Sequence, residues 1–141
     1  YMDGIWEHDI YHGRVWTKKN CEQDLVDNYD DVEMAIDKLH VEIELKKIDI
    51  LLGYGQGANI IDSYLGYKGG RKIKKAVLMS GYRSVYDRLE VDVPVLNVYD
   101  PSIKYGIIPK YRNGKILYHN EKMKIPKRRK IMDKIIEFIM E

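Results

Sequence analysis

Ile48-Asp49-Ile50-Leu51-Leu52-Gly53-Tyr54-Gly55-Gln56-Gly57-Ala58-Asn59-Ile60-Ile61 decides the fold of this chain. The apolar run from Ile48 to Leu52, ending at a glycine, reads as a buried strand. Gly53, Gly55 and Gly57 at alternate positions then mark a tight turn. From Ala58 onward Ile60, Ile61, Tyr64 and Leu65 recur at helical spacing. Strand, turn and helix in such short compass make the first half of a βαβ unit. That unit predicts a parallel sheet with right-handed crossovers.

Working outward, Gly66, Gly69 and Gly70 break the helix, and Ile73 to Met79 reads as a second strand. Val93 to Val98 reads as a third, with Pro94 near its start, where proline costs little. After the Asn113-Gly114 turn, Lys115 to Tyr118 reads as a fourth. Between the third and fourth strands, residues 100–113 show no helical period. Pro126 is placed at a first helical position, and residues 127–140 read as a helix buried through Ile131, Ile135, Phe138 and Ile139. Upstream, residues 22–40 read as a helix with Leu25, Tyr29, Val32, Ile36 and Leu39 on one stripe and four aspartates in its first half, where the dipole favours acids. Residues 1–20 are aromatic and irregular.

The length, 141 residues, suits a single domain over 1–141. A composition 45% hydrophobic and 33% charged excludes a disordered or low-complexity chain. No apolar run is long enough for a transmembrane helix, and no charged-then-apolar leader opens the sequence. Cys21 is the only cysteine, so one chain holds neither a disulfide framework nor a multi-cysteine metal site. A reducing, cytoplasmic setting without a membrane is the expectation. Charge is nearly balanced at +2 but uneven. Residues 1–50 carry 13 acids against 6 bases, and residues 51–141 carry 9 against 18. Such a split fits either two complementary halves of one domain or a surface for a partner.

Gly53-Tyr54-Gly55-Gln56-Gly57-Ala58 stands between strand and helix where α/β-hydrolases carry the nucleophile elbow, G-x-S-x-G. Glycine occupies the place of the serine. It supplies no nucleophile, yet it accepts backbone angles that cost other residues roughly 1–3 kcal/mol. The string GYGQGA, the later KKAVLMSGYRS and the segment YHNEKMKIP together resemble the FSH-type serine hydrolases of fungi and animals. Those enzymes show G-F-S-Q-G-A, a strand ending near S-G-[FY]-[KR], and H-x-G-G-H-x-x-P before a last helix. The Trp6–Trp16 region, the 22–40 helix and VDVPVLNVYD are also similar to that family, so the resemblance spans nearly the whole chain. It implies an α/β-hydrolase-like fold with about four core parallel strands flanked by helices, and a domain lacking the family's N-terminal strands.

The resemblance also implies that the triad has decayed. Gly55 stands for the nucleophile. His119 matches the first histidine of H-x-G-G-H, Glu121 and Lys122 replace the glycines, and Met123 falls on the catalytic histidine. Asp100 lies near the catalytic acid but two or three positions early, with Ser102 or Ile103 closer to its place. Gln56 matches the backbone oxyanion donor, and Gly53, Gly55 and Gly57 keep the elbow. A thioether does not titrate, so methionine in place of histidine removes the general base. Loss of a triad nucleophile or base costs on the order of 10⁶ in turnover.

Other residues weigh less. Cys21 precedes a helix, where a thiolate is favoured, without a histidine at an informative spacing. Ser63 and Ser80 read as structural. His8 and His12 sit four apart beside Glu7 and Asp9 but not on a helical pattern, so no metal is expected, and no cofactor motif is present. Two basic clusters stand out: Lys68, Arg71, Lys72, Lys74 and Lys75; and Lys122, Lys124, Lys127, Arg128, Arg129 and Lys130. The second sits at a helix start, where cations oppose the dipole. Its position makes a polyanion or RNA partner conceivable. The sequence thus points first to a non-catalytic interaction or assembly module with a protein partner. An active carboxylesterase- or thioesterase-like serine hydrolase with a non-standard nucleophile, and an RNA- or ribosome-associated protein, are its alternatives.

Overall fold

The computed structural model describes residues 6–7, 14–15, 29–68, 70, 72–81, 91–103, 111–122 and 124–141. Two short strands, β1 (Trp6–Glu7) and β2 (Arg14–Val15), pair antiparallel. Then follow α1 (Tyr29–Lys46), β3 (Ile50–Tyr54), α2 (Gln56–Lys68), β4 (Lys75–Met79), β5 (Val95–Tyr99), β6 (Gly114–Tyr118) and α3 (Arg129–Met140). The last four strands form one parallel sheet in the order β3-β4-β5-β6, with neighbours in sequence also neighbours in space. All four strands expected from sequence are present, and the parallel sheet is as expected.

Each face of the sheet carries its own core. Leu51, Ala76, Leu78 and Val95 meet Val32, Ala35, Ile36, Leu39 and Ile43 of α1 and Ala58, Ile61 and Leu65 of α2 in one cluster. Val77, Met79, Leu96, Val98 and Leu117 on the other face pack with Ile135 and Phe138 of α3, flanked by Ile131 and Ile139. These are the four α3 residues that the apolar stripe selects. Each such side chain, fully buried, contributes about 1.5–3 kcal/mol. Lys75 fixes the far end of α3, donating to the carbonyls of Phe138 (2.7 Å) and Glu141 (3.0 Å), which the helix itself leaves unpaired.

Several boundaries differ from expectation: β4 starts at Lys75 rather than Ile73, β5 spans Val95–Tyr99 rather than Val93–Val98, and β6 starts at Gly114 rather than Lys115. The first helix runs to Lys46 rather than residue 40, because Ile43 extends the stripe and is buried to 1% exposure. It stops where Lys47 turns left-handed (φ 52°) and the Ile48 N–H reaches the Ile43 carbonyl at 3.1 Å, a Schellman closure. Its expected start, residues 22–28, lies outside the described residues. The first core strand begins at Ile50, two residues late, and passes through Gly53 instead of ending at Leu52. Pro126 is buried but precedes α3 by three residues, and the extended Arg128 (φ −63°, ψ 128°) opens the helix instead.

Gly53 is where strand and helix approach most closely. A Cβ there would stand 2.7 Å from both the Ala58 amide nitrogen and Ile61 Cδ1. The backbone atom cannot yield, so strand and helix would have to separate. Gly53→Ala is expected to destabilise the protein by about 1–3 kcal/mol, measured as a lower urea midpoint. A variant as stable as the parent would contradict this packing.

Candidate functional site

The carboxyl ends of β3, β4, β5 and β6 gather the residues singled out above. At the end of β3 the chain turns through Gly55 into α2. Gly55 has φ +56°, donates its N–H to the Met79 carbonyl at 2.9 Å and accepts from the Asn59 N–H at 3.2 Å. It therefore both extends the β3–β4 ladder and closes the first turn of α2. Gln56 opens the helix, so its backbone lies at the positive end of α2, whose first turn carries no acid. Gly57 follows within that turn. A Cβ built on Gly55 meets nothing within 4 Å. The corner has a left-handed backbone, which glycine adopts without strain, and open space above it, without a side chain.

At the end of β5, Asp100 is buried and turned into the protein. Its Oδ1 accepts the Ser102 N–H (2.9 Å) and its Oδ2 the Lys122 N–H (2.7 Å). These bonds tie the turn after β5 to the loop after β6. The Ser102 hydrogen bonds first, then the Lys122 N–H and the nearby His119, hold this carboxyl below its ordinary value of 3.8. Ser102 is exposed. Ile103 closes the same turn, with its N–H on the Asp100 carbonyl and its own carbonyl accepting from Tyr99 Oη.

His119 follows β6 directly. Its N–H donates to the Tyr99 carbonyl, and its Nδ1 accepts the Glu121 N–H at 3.1 Å. The ring is 7% exposed and Nε2 has no partner. Since Nδ1 accepts, the neutral ring carries its proton on Nε2. About 14 Å separates the axes of β3 and β6, from three strand spacings. A base meant for position 55 must therefore be carried inward by the loop after His119. Met123, on that loop, lies outside the described residues, as do Cys21, His8 and His12.

Among the described residues no group of three or more His, Cys, Asp or Glu could hold a metal ion, and no helix is long and apolar enough to cross a membrane. Ser63 and Ser80 are buried with their hydroxyls unpartnered, so neither bonds an imidazole. Ser80 holds φ 53°, a left-handed conformation that the strand pattern of 73–79 did not disclose. The two basic clusters lie at opposite ends of the sheet, as the parallel topology requires. In the first, Lys72 pairs with Glu44 (2.6 Å), Lys74 with Asp49 (2.7 Å), and Lys75 with the end of α3. Arg71 lies outside the described residues.

No protein-family model matches the sequence, and no curated protein matches it significantly. Solved structures do match. A carboxylesterase from Mesorhizobium loti superposes with a TM-score of 0.74 at 11% identity, over 98% of this chain and 73% of that one. A protein of unknown function from Agrobacterium tumefaciens gives 0.71 at 18%, over 98% and 74%. The Bacillus cereus carboxylesterase gives 0.68 at 14%, over 98% and 73%. The fold is α/β-hydrolase-like.

The Asp100 knot has a pH signature. A carboxyl whose folded value is depressed lends stability above its unfolded value, here 3.8, and that stability is lost as pH falls through the lower folded value. Asp100→Asn offers one acceptor to two N–H donors and faces the other with an amide. It is expected to be less stable than the parent at pH 7, the difference shrinking as the pH drops below the ordinary carboxylate range. Thermal unfolding from pH 7 to pH 2 reads this directly, and a difference independent of pH would refute the assignment.

Proposed function

We propose that this chain is a degenerate relative of the FSH-type serine hydrolases that has lost triad chemistry and serves as a non-catalytic interaction or assembly module. The observation that carries this is Gly55: an elbow-like corner at φ +56°, open above, with a hydrogen atom where the hydroxymethyl group would project. The second support is Asp100, whose two oxygens each accept a backbone N–H and link two loops. The third is the resemblance to that family, by which Met123 falls on the position of the general base. Neither glycine nor methionine can attack a carbonyl or accept its proton. For the interaction role the support is β3, an edge of the described sheet that exposes Ile50, Leu52 and Tyr54 along one face. A row of apolar side chains on an edge strand is a surface on which other chains pair.

The protein is expected to resist labelling by a fluorophosphonate probe and to leave short p-nitrophenyl esters unhydrolysed above background. Gly55→Ser combined with Met123→His is expected to become labelled at residue 55, because the corner has room for the new side chain. Serine-dependent labelling of the parent would overturn the proposal and favour an active hydrolase with a non-standard nucleophile.

A further inference from the structure

We propose that copies of this chain associate head to tail, the outward face of α1 in one copy seating in a groove between β3 and α3 of the next. The inference rests on the assembly role proposed above and makes no use of the elbow.

The groove follows from what α3 leaves uncovered. Ile50, Leu52 and Tyr54 are the register partners of Lys75, Val77 and Met79. Side chains at such positions share one face of the sheet, here the face that carries α3. Val77 and Met79 are buried beneath that helix, yet Leu52 beside them is 53% exposed, and Ile50 and Tyr54 are exposed as well. The helix therefore covers β4, β5 and β6 but stops short of β3. The opposite face is covered by α1 and α2 together. Four strands span about 14 Å between their outer axes. A helix is about 10 Å across, so the α3 face has room for one more over β3.

The other wall of the groove is α3 itself. On its β6 side, Glu141 meets Lys115 at 3.3 Å, and Lys130 lines one cavity with Tyr118. Arg129, Met132, Ile136 and Met140 recur at helical spacing on the opposite flank, which faces β3. Lys75, the register partner of Ile50, donates to the Phe138 carbonyl near the end of α3. The helix thus runs antiparallel to β3, with Met140 toward Ile50 and Met132 toward Tyr54. Six exposed apolar side chains, three from each element, line the groove. Contiguous apolar surface of this kind marks a site of association.

The chain carries a helix that fits. On α1 the residues Val32, Ile36, Leu39 and Ile43 are buried, while Met34, Val41 and Leu45 form an exposed stripe on the far side. Met34 to Leu45 spans roughly 16 Å along the axis, and so does Arg129 to Met140 on the groove wall. Charge selects a second copy as the occupant. The α1 helix holds six acids against two lysines, with Glu33 and Asp37 along one border of the stripe. One end of the groove opens on Lys127, Arg128, Arg129 and Lys130. Among the described residues Lys127, Arg128 and Lys130 form no ion pair. Arg129, its side chain 94% exposed, reaches Asp133 only at 3.8 Å, a surface contact worth little. Setting α1 parallel to α3 brings Glu33 and Asp37 to this basic end, a complementary pairing. Because α1 and α3 lie on opposite faces of the sheet, no chain can fill its own groove. The contact is heterologous, so it propagates beyond a dimer.

The test is sedimentation velocity over a wide range of protein concentration. Association beyond a dimer is expected at low salt, weakened at least about fivefold at high salt. Val41→Glu blocks the α1 face and Ile136→Glu blocks the groove, both at exposed positions. Each is expected to weaken association at least about tenfold. Mixed in equal amounts, the two variants are expected to form a dimer and nothing larger, since each keeps the face that the other lacks. A strictly monomeric chain, association indifferent to salt or to either variant, or a mixture of the variants that stays monomeric would each overturn the inference. A monomeric chain that also resists the fluorophosphonate probe would do so while leaving the loss of triad chemistry intact.

Discussion

Gly53 has room for no carbon atom beyond its backbone, and the arrangement of this edge of the molecule follows from that fact. Ala58 sits against it from α2, and a Cβ on Gly81, just after β4, would come within 3.1 Å of the Ala58 Cβ. Three small residues therefore let α2 lie close on β3 and β4. A helix seated so near the strand it follows leaves one residue to reverse the chain. That residue must take a left-handed conformation, which Gly55 does at φ +56°. The same seating brings the positive end of α2 to the carboxyl ends of the strands, which is where a developing negative charge would be stabilised in an enzyme of this fold.

The corner thus places one left-handed residue between strand and helix. A side chain held at this backbone angle costs about 1–2 kcal/mol, a strain that a nucleophile justifies. Glycine relieves it. Replacing strained catalytic residues commonly raises stability at the expense of activity, and the proposed loss of function agrees with that trade. Asp100, just after β5, joins two loops through backbone N–H groups.

Much of the sheet was legible because its determinants are local. The apolar runs of β3 to β6 and the glycines at 53, 55 and 57 give strand, turn and helix without reference to the rest of the chain. The α3 stripe was equally plain, since Ile131, Ile135, Phe138 and Ile139 recur at helical spacing against charged neighbours. Boundaries were harder. Ile43 is the one apolar residue that carries the buried stripe past His40, between Glu42 and Glu44, and its burial depends on packing with the sheet. Pro126 suits a helix start in sequence, but the chain remains extended through Arg128. Least legible were the contacts between segments distant in sequence. Nothing near Asp100 indicates that Lys122 will donate to it, and nothing near His119 indicates that its ring will be buried beside α3. The uneven charge, by contrast, was visible at once, and only the fold separates its paired lysines from its uncompensated ones.

What unites these features is an α/β-hydrolase-like fold whose strand-to-helix corner at Gly55 carries no side chain. Intact-mass spectrometry after exposure to p-nitrophenyl butyrate addresses that directly, since any serine or cysteine nucleophile would pass through an acyl-enzyme. The account predicts a single unmodified mass. A stoichiometric butyryl adduct mapping to one serine or cysteine would contradict it.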